Sequence, residues 1–371
     1  MAELYQDKLY IGVMSGTSLD GIDLVAVSFA PLQLHACLSV DFPADLRAAL
    51  LALTQSGDDE IERMGRAEVA YAEVVSAAVL RLIDDNHLDK AQIAAIGSHG
   101  QTIRHRPAAG FSLQIGDPNL IAERTGITVV ADFRRRDLAA GGQGAPLVPA
   151  FHQAVFQSSE QNRIILNLGG IANISVLPAG QPDAVYGFDT GPANLLMDAW
   201  CDLHTAKPYD ADGAWGATGT VHAGLLAQLL AHAYFAQPIP KSTGREDFNL
   251  DWLQGQLFAF AAVSAVDVQA TLQALTAQSV AQAVHQTGLN GGELVLCGGG
   301  ALNSALCNRL AADLPDWQLI STAALGLAPT WVEAAAFAWL AQQRLQMQAG
   351  NLPRVTGAQG GRVLGAIYAG G

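Results

Sequence analysis

An α/β fold built of two similar halves is predicted by three observations. Residues Gly12–Asp23 (Gly-Val-Met-Ser-Gly-Thr-Ser-Leu-Asp-Gly-Ile-Asp) break a β-type approach at 9–13 into glycine and hydroxyl residues before apolar alternation resumes at Ile22. The same design, apolar run, glycine turn, apolar run, recurs at Ile164–Val176. Helical periodicity lies between strand-like segments, as in Ile61–Ile83, where Ile61, Met64, Val75, Val79, Leu82 and Ile83 share one face. A chain that turns on glycine and hydroxyl residues presents backbone N–H groups to an anion. One such turn in each half is the pattern of two facing phosphate loops.

In chain order, Tyr10–Val13 and Leu24–Ser28 read as strands around the first glycine turn, followed by the helix Ile61–Ile83 and the strand Ile93–Gly97. Gly126–Ala131 reads as a further β-branched strand. Leu138–Leu147 concentrates glycine and proline as a hinge would, which predicts domains at 1–137 and 138–371, with the last few residues free to pack back on the first. The pattern then restarts with strands Ile164–Leu168, Ile174–Leu177 and Ala184–Phe188, Asp189-Thr-Gly-Pro, and a helix from Asn194. Asp267 is placed to cap a helix Val268–Gln286, and the strand Leu294–Leu296 meets a third glycine cluster at Gly298–Gly300. Val221–Phe235 is apolar enough to be either core or a helical interface.

Composition narrows the function classes. A net charge of −14, from 20 Lys+Arg against 34 Asp+Glu, disfavours nucleic-acid binding, and the one basic cluster, Arg134-Arg135-Arg136, is too short for a duplex stripe. The four cysteines have neither zinc nor redox spacing and fit a reducing, cytoplasmic setting. Glu3 and Asp7 stand where a signal peptide would be basic, and Gly213–Pro240, the longest charge-free stretch, carries two prolines, two histidines and several glycines, unlike a membrane span. Two nucleotide fingerprints are excluded: no G-x-x-x-x-G-K-[ST] occurs, and Gly298–Asn303 fails G-x-G-x-x-G at its last position. Each glycine cluster taken singly reads more readily as an ordinary turn than as a phosphate site, glycine being the default turn residue; three at these positions shift the balance.

Six motifs in order carry a resemblance. Met14–Asp23, Gly97-Ser-His-Gly-Gln-Thr102, Asp132-Phe-Arg-Arg-Arg-Asp137, Gly141–Pro149, Gly187-Phe-Asp-Thr-Gly-Pro192 and Lys241-Ser-Thr-Gly-Arg-Glu246 resemble the anhydro-N-acetylmuramic acid kinases, within the sugar kinase, heat-shock ATPase and actin superfamily. The resemblance runs from about Tyr10 to Ile367. It implies two RNase H-like (actin-like ATPase) domains with mixed central sheets and an interdomain cleft that closes on ATP. It also implies hydrolysis of the 1,6-anhydro bridge of 1,6-anhydro-N-acetylmuramate coupled to phosphorylation of O6, giving N-acetylmuramate 6-phosphate and ADP, in peptidoglycan recycling. The implied setting is a cytoplasmic homodimer that uses ATP and Mg²⁺. Two other readings remain: a kinase for another amino sugar, and a non-catalytic ATP-binding regulator on the same fold.

Carried over residue by residue, the resemblance makes Asp189 the general base; read without it, Asp189 before Gly191-Pro192 is equally a turn cap. Gly16, Thr17, Ser18, Leu19, Asp20, Gly21, Ile22 and Asp23 match the ATP loop. Asp20 and Asp23 would repel a bare phosphate, so they read either as outer ligands of Mg²⁺ through water, Asp20 above all, or as turn-stabilising carboxylates. Asn167, Gly169, Gly170 and Asn173 fall to the β- and γ-phosphates, and Gly298, Gly299, Gly300 and Asn303 to the adenosine. His99, Arg135 and Glu333 fall to the sugar, an arginine being suited to clamp a lactyl carboxylate, with Arg134 and Arg136 as rivals for that role. The chain departs from the family pattern at Ala193, where some members have glycine, and at Ala328-Pro329-Thr330, where some have Gly-Asp-Asp. The second departure bears on how the loop before Glu333 closes.

Overall fold

The computed structural model describes residues 8–371, so Glu3 and Asp7 lie outside it. The chain divides into one unit made of the residues up to Val155 together with Trp331–Gly371, and a second made of Phe156–Thr330.

In the first unit the strands are β1 (Leu9–Met14), β2 (Ile22–Phe29), β3 (Leu32–Val40), β4 (Ile93–Ser98), the separate hairpin β5 (Gln101–Arg106) and β6 (Phe111–Ile115), and β7 (Val129–Ala131). In the second unit they are β8 (Arg163–Leu168), β9 (Ile171–Leu177), β10 (Tyr186–Pro192), β11 (Gly292–Cys297) and β12 (Trp317–Ser321). A last strand, β13 (Ala366–Tyr368), returns to the first unit and pairs antiparallel with β7. The two sheets run β13-β7-β4-β1-β2-β3 and β10-β9-β8-β11-β12. In each, three antiparallel strands open the sheet and the first of them pairs in parallel with the fourth. The fourth pairs in parallel with the next. Each unit therefore has a mixed sheet of RNase H-like strand order, the repeat that the two glycine turns predict.

One face of each sheet is closed by a long helix. Glu60–Asp85 packs Tyr71, Val75, Val79 and Leu82 with Ile11, Val13, Ile22 and Leu24. Ala265–Gln286 packs Val268, Leu272, Val280 and Val284 with Ile164, Leu166, Leu168 and Ile174. On the opposite face of the first sheet the helix Val332–Leu345 approaches so closely that a Cβ on Gly12 would stand 1.8 Å from the Ala334 carbonyl oxygen, and one on Gly97 2.0 Å from that of Phe337. Those two strand positions admit only glycine.

Several expectations shift. The unit boundary does not fall at 137/138, because the glycine-rich loop is fastened to its own unit. The buried Asp137 accepts from the Gly144 amide at 2.8 Å, the Asn351 side-chain amide at 2.6 Å and the Thr356 hydroxyl at 2.7 Å. Of Gly126–Ala131 only Val129–Ala131 is strand, since Gly126 is the left-handed cap of the helix Pro118–Thr125. Ser264, not Asp267, caps the helix Ala265–Gln286; the two exchange hydrogen bonds as a reciprocal box, which places Asp267 one turn inside. Val221–Phe235 becomes a helix (Ala223–Leu230) and a short turn whose Leu225, Leu226, Leu229, Tyr234 and Phe235 are buried in the second core.

Candidate functional site

In the first unit, the β1–β2 turn divides its residues by the direction each faces. Leu19 and Ile22 are buried core residues, Leu19 at φ 59°, so only their backbones face outward. Thr17 and Asp20 are exposed. The turn is held from behind: the buried Ser15 hydroxyl meets the Tyr71 hydroxyl at 2.8 Å, the Gln101 side-chain amide donates to the Gly16 carbonyl at 3.2 Å, and Leu19 N–H closes on the same carbonyl. Among the described residues, the Thr17 and Ser18 amides have no protein acceptor, so an outside acceptor fits them. Asp23, on β2, accepts from the Ser39 hydroxyl at 2.8 Å; burial first, and then Asp20, hold its carboxyl above the usual range.

The sugar-directed residues of this unit gather in part. His99 follows β4, and its Nε2 accepts from Arg134 Nη2 at 2.8 Å, while Arg134 Nη1 donates to the Gly144 carbonyl at 2.8 Å. Burial, and then the Arg134 charge, push His99 well below its ordinary pKa. His99 is therefore neutral, and because Nε2 accepts, its proton sits on Nδ1, which lies near the Gly100 and Ser15 backbone without a well-formed hydrogen bond. Burial lowers Arg134 to about 10, against the opposing pull of Glu333 and Asp137. His99 and Arg134 thus form a hydrogen-bonded pair, with Glu333 near enough for its charge to act on Arg134. Arg135 stands apart, its side chain 59% exposed and paired with Asp132 at 3.5 Å. The difference is local: Arg134 precedes the short helix Arg135–Ala139 and turns inward, whereas Arg135 starts that helix on its solvent side.

In the second unit the register lines up what the sequence leaves scattered. Asn167 on β8 is opposite Asn173 on β9, and Asn173 is opposite Asp189 on β10. Directly paired residues share a sheet face, so the three form one polar row. Asp189 does not follow a strand, as expected, but lies within β10, which continues through a register shift to Pro192. The Gly169 and Gly170 carbonyls accept from the Ala193, Asn194 and Leu195 amides at the start of the helix Asn194–Thr205, and this turns that hairpin's own amides the other way. Gly298 and Gly300 pack against β8: a Cβ on Gly298 would stand 2.4 Å from Asn167 Oδ1, and one on Gly300 2.7 Å from Leu168 Cβ. Asn303 spends its Oδ1 capping the helix Ser304–Asp313 through Leu306 N–H at 3.0 Å, which leaves its Nδ2 for a ligand.

Asp189 itself is held closely. Its Oδ2 accepts from the Thr243 amide at 3.1 Å, its amide donates to the Lys241 carbonyl at 3.0 Å, and its carbonyl accepts from the Tyr234 hydroxyl at 2.5 Å. Burial pushes the carboxyl up to about 6, with the Thr243 amide opposing and the Glu246 charge adding to the rise. A carboxylate poised there takes a proton near neutral pH. Tyr234 and the Lys241–Asp247 segment were not among the predicted site residues; the motif at 241–246 marked that segment, and nothing local marked Tyr234. Among the described residues no three His, Cys, Asp or Glu gather to hold a metal. Asp20, exposed, and Asp23, tied to Ser39, are the two carboxylates of the β1–β2 turn.

The model of the family "Anhydro-N-acetylmuramic acid kinase" matches residues 8–370. The chain belongs to this family. Relatives agree along the whole length: the anhydro-N-acetylmuramic acid kinase of Acinetobacter baylyi is 57% identical over 370 residues, covering 97% of this chain and 98% of that protein. The one from Variovorax paradoxus is 52% identical over 371 residues, covering 97% and 99%. Solved structures lie further off, as with the activator of the 2-hydroxyisocaproyl-CoA dehydratase from Clostridium difficile with bound ADPNP, at 12% identity and TM-score 0.46 over 93% of this chain and 99% of that one. The fold assignment rests on strand order instead. Among the described residues no single helix is long and apolar enough to cross a membrane.

Proposed function

We propose that the protein is an anhydro-N-acetylmuramic acid kinase, which opens the anhydro bridge of 1,6-anhydro-N-acetylmuramate with water and transfers the γ-phosphoryl group of ATP to O6 in cell-wall recycling. The observation that carries the mechanism is Asp189, a desolvated carboxylate raised to about 6 and held by one backbone amide. Asp189 takes a proton from the water that attacks C1. The C1–O6 bond breaks with its electron pair on O6, and O6 attacks the γ-phosphorus as ADP departs, so one water and one phosphoryl group are consumed per turnover.

The Thr17 and Ser18 amides, together with Gly16 and Gly21, are phosphate donors in this reading, and so are Asn167, Gly169, Gly170 and Asn173. Gly298–Gly300 and the Nδ2 of Asn303 receive the adenosine. Asp20, and more remotely Asp23, would hold Mg²⁺ through water, and the ion when bound would neutralise charge on the transferring phosphoryl group. Arg134 replaces Arg135 as the arginine for the lactyl carboxylate, because it is the one fixed beside His99 and Glu333. His99, buried with its Nδ1 toward the Gly100 and Ser15 backbone, orients Arg134 through Nε2, and Glu333 accepts from a hydroxyl or the acetamido N–H. The enzyme works as a cytoplasmic homodimer.

The test is to incubate purified protein with ATP and 1,6-anhydro-N-acetylmuramate in ¹⁸O-labelled water. The expected product is the 6-phosphate carrying label at C1. A phosphorylated sugar without that label would overturn the coupled mechanism, and no product at all would overturn the substrate.

A further inference from the structure

We propose that the loop Lys241–Asp247 is a positioning device for Asp189, in which Thr243 and Glu246 act on its carboxylate in opposite senses. The inference rests on the assignment of Asp189 as the base. The loop grips the backbone of Asp189 before it touches the side chain. Lys241, itself buried, accepts from the Asp189 amide through its carbonyl and donates through Nζ to the Tyr234 and Phe235 carbonyls, both at 3.1 Å. That ammonium also sits 4.6 Å over the Tyr234 ring, and the Tyr234 hydroxyl returns to the Asp189 carbonyl. The segment 234–241 thereby closes a ring of contacts around one residue of β10.

The tip of the loop then addresses the carboxylate. Thr243 donates its amide to Asp189 Oδ2, and its hydroxyl donates to Asp247 Oδ2 at 2.7 Å, which fixes the direction of that amide. The turn is closed by the Asp247 and Phe248 amides on the Gly244 carbonyl and anchored by the fully buried Phe248. The Glu246 carboxylate folds back over Gly244, where a Cβ would stand 2.5 Å from its Oε2. The titratable groups of the adjoining elements are Tyr234, Lys241, Arg245, Glu246 and Asp247, and the residue opposite across the sheet, Asn173, is uncharged. A hydrogen bond to the ionised form favours it and a like charge disfavours it, so the Thr243 amide keeps the carboxylate available while Glu246 keeps it basic.

The test is the pH dependence of kcat/KM for the wild type, Thr243→Val, Thr243→Ser and Glu246→Gln. Thr243→Val should move the acid limb to higher pH, Thr243→Ser should restore it, and Glu246→Gln should move it to lower pH. A purely structural loop would lower the rate at every pH and leave the limb in place in all variants, and that result overturns the proposal. Glu246 is exposed, so Glu246→Gln carries the test alone should Thr243→Val fail to fold. Asp189→Asn separates the two failures. Turnover retained there overturns the base itself, whereas an inactive Asp189→Asn with unmoved limbs in the loop variants overturns the loop's role alone.

Discussion

The two sheets share a strand order but spend corresponding positions differently. On the face away from the long core helix, the row nearest the hairpin turn is Met14–Asp23–Ser39 in the first unit and Asn167–Asn173–Asp189 in the second. The first row puts its carboxylate on the middle strand and satisfies it with the Ser39 hydroxyl. The second puts it on the edge strand β10, where a loop can reach it and one backbone amide is its hydrogen-bond partner from that loop. One row further in, the first unit has Gly12 and Gly97 against a helix, and the second has the buried Ile165 and Val295. One fold thus yields a half that trades side chains for close helix contact and a half that holds a desolvated carboxylate.

The largest expected effect breaks the inner row. Gly12→Ala drives a methyl group into the Ala334 carbonyl and should cost about 3 kcal/mol or more, enough to lose folded protein, whereas Ile165→Ala leaves a cavity costing about 2–5 kcal/mol without a clash. Denaturant unfolding of both variants checks the contrast, and a fully stable Gly12→Ala would show that the helix Val332–Leu345 is not seated as described. Next, Asp189→Asn should lower kcat about 10²–10⁴-fold with ATP binding retained, while Ser39→Ala in the matching row should change kcat by less than about tenfold. Steady-state kinetics with calorimetric titration of nucleotide read both; equal losses would erase the distinction between the rows.

A smaller effect lies within the first unit. Arg134→Lys should raise KM for the sugar about tenfold or more, since a bidentate clamp is lost, and Arg135→Ala should leave it nearly unchanged because an exposed ion pair contributes about 0–1 kcal/mol. The reverse ranking would return the carboxylate to Arg135. The smallest concerns stability against pH. The Asp189 pKa is raised in the folded state, so its contribution is fully present below its ordinary value of 3.8 and is lost as pH rises through about 6. Relative to Asp189→Asn, the wild type should lose stability across that window, as followed by thermal unfolding at stepped pH. A flat difference would mean that the carboxyl is not desolvated.

Much of this was legible because local chemistry marks it. Both glycine turns, the strands flanking them and the helix near Ile61–Ile83 fall where hydrophobic period and turn residues predict, and the observed helix, Glu60–Asp85, differs only at its ends. The six motifs led to the family, and the family model and relatives agree. What escaped was set by partners far along the chain. The glycine-rich loop reads as a hinge until Asp137 is seen holding Asn351 and Thr356 more than two hundred residues away. Arg134 and Arg135 are indistinguishable neighbours in sequence, and only the position of His99 separates them.

The sequence by itself determined the α/β class, the two-part repeat, the family and the residue types available for phosphate, sugar and proton transfer, because these follow from periodicity, turn chemistry and ordered motifs. Only the tertiary structure decided that the C-terminal segment completes the first unit, that Asn167, Asn173 and Asp189 share one row, and that Asp189 is desolvated. Register and burial are properties of strands brought together from distant parts of the chain, and no local pattern encodes which face a carboxylate will meet or how much water it will keep.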